Sequence, residues 1–93
     1  MNATSVKQLR KSVGLTQQAF ANLLGLSFVS VNKWENGASA PTGLSEVLLE
    51  LLAASLRVHS APHVASELRA CKGKPLDVIR TLTQLERGHA RRN

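Results

Sequence analysis

The stretch TQQAFANLLGLSFVSVNKWENG, residues 16–37, constrains this chain most. Two short apolar patterns flank Gly25, and each is preceded by a hydroxyl residue. Thr16 can cap a helix over 17–24, because its side-chain oxygen can accept from the unpaired N–H groups of a first turn. Gly25 can then take the left-handed conformation that ends the helix. Ser27 can cap a second helix over 28–36, and Gly37 can close it. Ala19 or Phe20, with Ala21 and Leu24, face inward from the first helix. Val31 and Trp34, three apart, face inward from the second. Ala21 is small, which suits two helices that cross closely. With Val31 and Trp34 committed to a core, Phe28, Val29, Asn32 and Lys33 are left facing outward.

A helix, a glycine turn and a helix make a helix-turn-helix unit. An exposed Phe-Val pair is costly in a plain soluble domain, but it becomes useful against thymine methyl groups in a major groove. Asn32 can pair with adenine edges, and Lys33 with guanine or with phosphate. Gln17 stands at a helix N-terminus, where backbone N–H groups and the positive dipole end attract phosphate. The overall charge agrees. Twelve Lys and Arg against six Asp and Glu leave +6 on 93 residues, which favours a polyanionic partner. The aromatics are two Phe and one Trp with no Tyr, too few for the stacking platforms of a single-strand binder.

Helix signals continue on both sides, without strand-length alternation. Ser5-x-x-Gln8 reads as a capping box, with Val6, Leu9 and Val13 at helical spacing up to Gly14. Pro41 and Thr42 open a fourth element. Its face of Leu44, Val47, Leu48, Leu51 and Leu52 is widened by Leu49 and Leu56, so this helix should meet more than one neighbour. After a break at 59–61, Pro62 suits a first helical position, and Val64, Leu68 and Cys71 form a stripe. After a second break at 72–75, Leu76, Ile79, Leu82, Thr83 and Leu85 define a last helix that ends at Gly88. Residues 89–93, with Arg91-Arg92, read as a frayed polar tail.

The expected fold class is therefore all-α. Residues 1–57 form a helix-turn-helix domain of four to five helices, and residues 58–93 form a helical extension for dimerisation or partner binding. The single Cys71 excludes an intrachain disulfide and reads as a core thiol. His59 and His63 lack the Cys or second acid that would complete a metal set, so no metal or cofactor is expected. Asp77 is the only Asp, and no clustered acid, base and nucleophile occurs, so no enzyme is expected. The N-terminus lacks a signal-peptide pattern, and the longest apolar stretch, 47–56, is too short to span a membrane. A cytoplasmic protein is the expectation.

The segment LRKSVGLTQQAFANLLGLSFVSVNKWENG, residues 9–37, resembles the Cro/C1-type (XRE-type) helix-turn-helix regulators. PTGLSEVLLELL, residues 41–52, is similar to that family's fourth helix, especially in its antitoxin-like branch. The similarity covers residues 6–56 and rests on the joint pattern of Thr16-Gln17, Gly25, Ser27 and Trp34-Glu35-Asn36-Gly37. It implies a lambda-repressor-like fold. It also implies phosphate contacts at Gln17 and Asn36, base contacts at Phe28, Val29 and Lys33, and an ion pair between Arg10 and Glu35. Ser27 and Ser30 join the candidate phosphate contacts. The chain departs from the family where Phe28 and Val29 replace the common Gln, and where 38–40 lack basic residues.

The expected function is sequence-specific binding to double-stranded DNA as a homodimer, repressing transcription from an inverted-repeat operator. Two alternatives stay open. One is an antitoxin whose residues 58–93 clamp a toxin protein. The other is an interaction module that binds another protein through Phe28 and Val29.

Overall fold

Six helices follow one another: α1 Ala3–Ser12, α2 Gln17–Leu24, α3 Phe28–Asn36, α4 Gly43–Val58, α5 Ala61–Arg69 and α6 Pro75–Arg91. This computed structural model describes the backbone of residues 1–91 and the side chains of residues 1–87, and holds no strand among them. Arg92 and Asn93, and the side chain of Arg91, lie outside the described residues.

Side-chain caps set the starts of α1, α2, α3 and α5. Thr16 accepts from the Ala19 N–H at 3.1 Å and Ser27 from the Ser30 N–H at 3.0 Å. Gly25 and Gly37 close α2 and α3 at φ 74° and 78°, in the left-handed region that favours glycine. Three ends differ from the sequence pattern. The cap of α1 is Asn2, whose Oδ1 accepts from the Ser5 N–H at 2.8 Å, so Ser5 lies inside the first turn and cannot open a capping box. Helix α5 starts at Ala61 with Ser60 as its cap, which moves Pro62 to the second position. Helix α6 runs past Gly88 to Arg91. A glycine inside a helix costs about 1 kcal/mol relative to alanine, which weakens a helix without ending it.

One hydrophobic cluster joins all six helices. Val6 and Leu9 enter it from α1, Phe20, Ala21 and Leu24 from α2, and Val31 and Trp34 from α3. Leu48, Leu49 and Leu52 of α4 meet Val64 and Leu68 of α5, Cys71 just beyond it, and Val78 and Leu82 of α6. Helix α4 packs on both α5 and α6, and α2 on both α3 and α5. Two apolar faces are narrower than their patterns predict. Leu44 and Val47 are left half-exposed on α4, and Leu76 is exposed on α6, where Val78 takes the buried place. At 3.6 residues per turn, Leu76 and Val78 stand nearly opposite, so only one can face α4.

The connection between α5 and α6 is pressed against the turn between α2 and α3. A methyl group added at Gly25 would meet the Gly73 carbonyl oxygen and the Pro75 ring, the latter at 2.8 Å. One added at Gly73 would stand 2.9 Å from the Asn22 carbonyl oxygen. Gly73 and Pro75 thus brace the turn that sets the angle of α3. Gly25→Ala is expected to cost more than about 2 kcal/mol, combining left-handed strain with backbone displacement. At Gly37 a methyl meets nothing within 4 Å, so Gly37→Ala should cost only the strain. Urea denaturation of the two variants checks the difference; equal losses would show that the brace contributes nothing.

Candidate nucleic-acid interface

With Val31 and Trp34 buried, α3 turns its other side outward. Phe28 is 42% exposed and Val29 58%, two large apolar side chains next to each other on the outer side of the helix. Lys33 is exposed one turn further on, and Asn32 is half-buried beside α2. The surface therefore offers apolar, amide and cationic groups along one helix.

Five of the candidate residues meet in one hydrogen-bonded network across α1, α2 and α3. The Arg10 guanidinium grips Glu35 with two bonds, Nε to Oε2 at 2.7 Å and Nη2 to Oε1 at 2.9 Å. Its Nη1 also donates to the Leu15 carbonyl at 2.8 Å, which ties down the loop before α2. Glu35 is buried, and Gln17 Nε2 donates to its Oε1 at 3.1 Å. Gln17 Oε1 accepts from Asn32 Nδ2 at 3.0 Å, and Asn32 Oδ1 accepts from Asn36 Nδ2 at 3.0 Å. Ser27 and Ser30 stand apart from this network. The Ser27 hydroxyl caps α3 and also donates to the Ser30 hydroxyl at 2.8 Å.

The network has a clear electrostatic centre. The hydrogen bond from Arg10 holds the Glu35 carboxyl below the usual carboxylate range, against the opposing effect of burial. Gln17's hydrogen bond and the charges of Arg10 and Lys7 act in the same direction as the Arg10 bond. The Arg10 guanidinium is in turn raised by its bond to Glu35. Sequence patterns miss the links from Gln17 to Glu35 and to Asn32. The pairs lie 18 and 15 residues apart, beyond any helical period, and only the crossing of α2 on α3 brings them together. Lys7, whose charge also acts on Glu35, lies three residues before Arg10, a helical spacing that places it on the side of the ion pair.

Two capped helices meeting at a left-handed glycine, with the second turned outward, define a helix-turn-helix protein. The family model described as helix-turn-helix matches residues 6–60, and the chain belongs to this XRE-type family. Three curated relatives, one from each of three strains of Escherichia coli, are each described as an uncharacterized HTH-type transcriptional regulator, YiaG. Each is 35% identical over 54 residues, covering 58% of this chain and 56% of the relative. The chain thus spans little more than half the length of the curated relatives it matches. No solved structure matches it. Among the described residues, no helix is long and apolar enough to cross a membrane.

Proposed function

We propose that this protein binds double-stranded DNA through α3 and regulates transcription as a homodimeric repressor. The observation that carries the reading is the exposed row of Phe28, Val29 and Lys33 on a helix whose other side is locked into the core. Phe28 and Val29 supply apolar contact for thymine methyl groups, Asn32 reads adenine, and Lys33 reads guanine or meets phosphate. Gln17, Ser27, Ser30 and Asn36 border that row and serve the phosphate backbone. The formal charge of +6 adds a sequence-independent attraction. The relatives' description as transcriptional regulators supports the same reading. Repression needs no further chemistry, since a dimer seated on an operator blocks polymerase.

Lys33→Ala and Asn32→Ala are each expected to lose discrimination at particular base pairs, by roughly 1–3 kcal/mol. Affinities for a series of mismatched duplexes, measured at fixed salt, check this. A uniform loss across the series would remove these side chains from base reading.

One helix-turn-helix reads only a few base pairs. Two copies related by a two-fold axis place their recognition helices about 34 Å apart, in successive major grooves. The exposed apolar side chains Leu44 and Val47 on α4 and Leu76 on α6 support such a dimer, with residues 58–93 contributing to it. Sedimentation equilibrium on the full chain tests it. A monomer at micromolar concentration that binds a palindromic site without cooperativity would favour a toxin protein as the partner of this surface instead.

A further inference from the structure

We propose that the buried Glu35 carboxylate fixes which way round Asn32 presents its amide to DNA, acting through Gln17. The inference rests on the reading of α3 as the DNA-contacting helix. An ionised carboxylate can only accept hydrogen bonds. Glu35 Oε1 already takes Arg10 Nη2, so the Gln17 group 3.1 Å from it has to be the amide nitrogen. The Gln17 oxygen is then left toward Asn32, where it can only accept, and Asn32 meets it with Nδ2 at 3.0 Å. Asn32 Oδ1 in turn accepts from Asn36 Nδ2 at 3.0 Å. A single acceptor-only group at the buried end thus sets the polarity of three amides, down to exposed Asn36. Arg10 keeps that group in place, because its third bond, to the Leu15 carbonyl, holds the guanidinium itself.

The consequence for recognition is chemical. An asparagine amide has two N–H groups and two lone pairs. The network uses one of each, leaving one donor and one acceptor. Those are what the major-groove edge of adenine requires, a donor for N7 and an acceptor for the N6 amino group. Flipped by a half-turn, the same side chain would offer the two in reverse order and lose the bidentate fit. Gln17 is therefore a positioning residue for base discrimination as well as a candidate phosphate contact.

Gln17→Lys separates the two roles. Lysine keeps a donor for Glu35 and a cation for phosphate, but gives Asn32 nothing to donate to. Full-length protein first selects sites from a pool of random double-stranded DNA. Affinities of the wild type, Gln17→Lys, Gln17→Leu, Asn32→Ala and the Gln17→Lys/Asn32→Ala double variant are then measured on every single base-pair change of the selected site. Asn32→Ala should mark the pair it reads by a fall in discrimination of about tenfold. Both Gln17 variants should lose a similar factor at that same pair and keep it elsewhere, and the double variant should lose no more there than Asn32→Ala alone. Uniform shifts over all positions, an unchanged preference at the Asn32 pair, or additive losses in the double variant would overturn the proposal while leaving DNA binding intact. If Asn32→Ala marks no pair, the proposal also fails. A wild-type protein that enriches no sequence would overturn the DNA-binding reading itself, before any variant is compared. If one Gln17 variant loses its cooperative melting transition, the other carries the comparison.

Discussion

A chain cut after Val58 is expected to lose its cooperative thermal transition, although it keeps the whole helix-turn-helix and α4. The cut removes Val64, Leu68, Val78 and Leu82, all at most 1% exposed, from a core shared by the six helices. Their burial is worth together about 6–12 kcal/mol, comparable with the whole stability of a small domain. Deleting them also relieves the entropy cost of ordering α5 and α6, but that relief does not reach the residues that stay. Leu48, Leu49 and Leu52 must still be ordered while losing the α5 and α6 surfaces that bury them. The α2–α3 turn loses its support at Gly73 and Pro75 as well. Circular dichroism melting of the fragment checks this. A sharp transition within a few degrees of the full chain would show that residues 1–58 fold alone and that the extension serves only assembly.

Arg10→Ala is expected to cost about 3–5 kcal/mol near neutral pH, because it leaves the buried Glu35 carboxylate with Gln17 as its remaining donor. Replacing both partners by apolar residues should cost less than the two single changes together. A double-mutant cycle on urea denaturation measures the coupling, and a value near zero would sink the idea that the pair joins α1 to α3. The pH dependence has a definite sign. Glu35's folded carboxyl is held below its ordinary value, so the unfolded chain takes up a proton first as pH falls. The stabilisation is therefore complete above the unfolded Glu range, near about 4.3, and is lost as pH drops through the lowered folded value. Arg10→Ala, with burial no longer opposed by the guanidinium, should show its largest deficit at neutral pH and a shrinking one in acid. A deficit that is constant from pH 7 to strongly acid conditions would show that Glu35's ionisation is not what Arg10 stabilises.

Much of the fold is legible in the chain. The stop and start of α2 and α3 are written in Thr16, Gly25, Ser27 and Gly37, because caps and left-handed glycines act within a few residues of themselves. The inward set of Ala21, Leu24, Val31 and Trp34 follows from helical period alone, while the choice of Phe20 over Ala19 is made by the packing. The α1 start and the α5 start are legible only to within a few residues. Asn2 competes with Ser5 as the cap of α1, and the Ser60 cap starts α5 one residue before Pro62; local chemistry ranks such rivals weakly. The width of an apolar stripe is harder still. Leu44, Val47 and Leu76 fit their stripes as well as Leu48 or Leu82 does, and their exposure depends on how far a neighbouring helix reaches.

By itself, then, the sequence determined an all-helical chain, the helix-turn-helix within it, and the outward row of Phe28, Val29 and Lys33. Each of these follows from capping, glycine conformation and a 3.6-residue period, all of which act over one or two turns. The tertiary structure alone decided that α5 and α6 share the core of the preceding helices and that Gly73 and Pro75 brace Gly25. It also decided that Gln17 and Asn32 are bound into the network that starts at Arg10 and Glu35. Both depend on the crossing of helices distant along the chain, and a side chain's hydrogen-bond partner across such a crossing is set by a distance that no spacing in the sequence records.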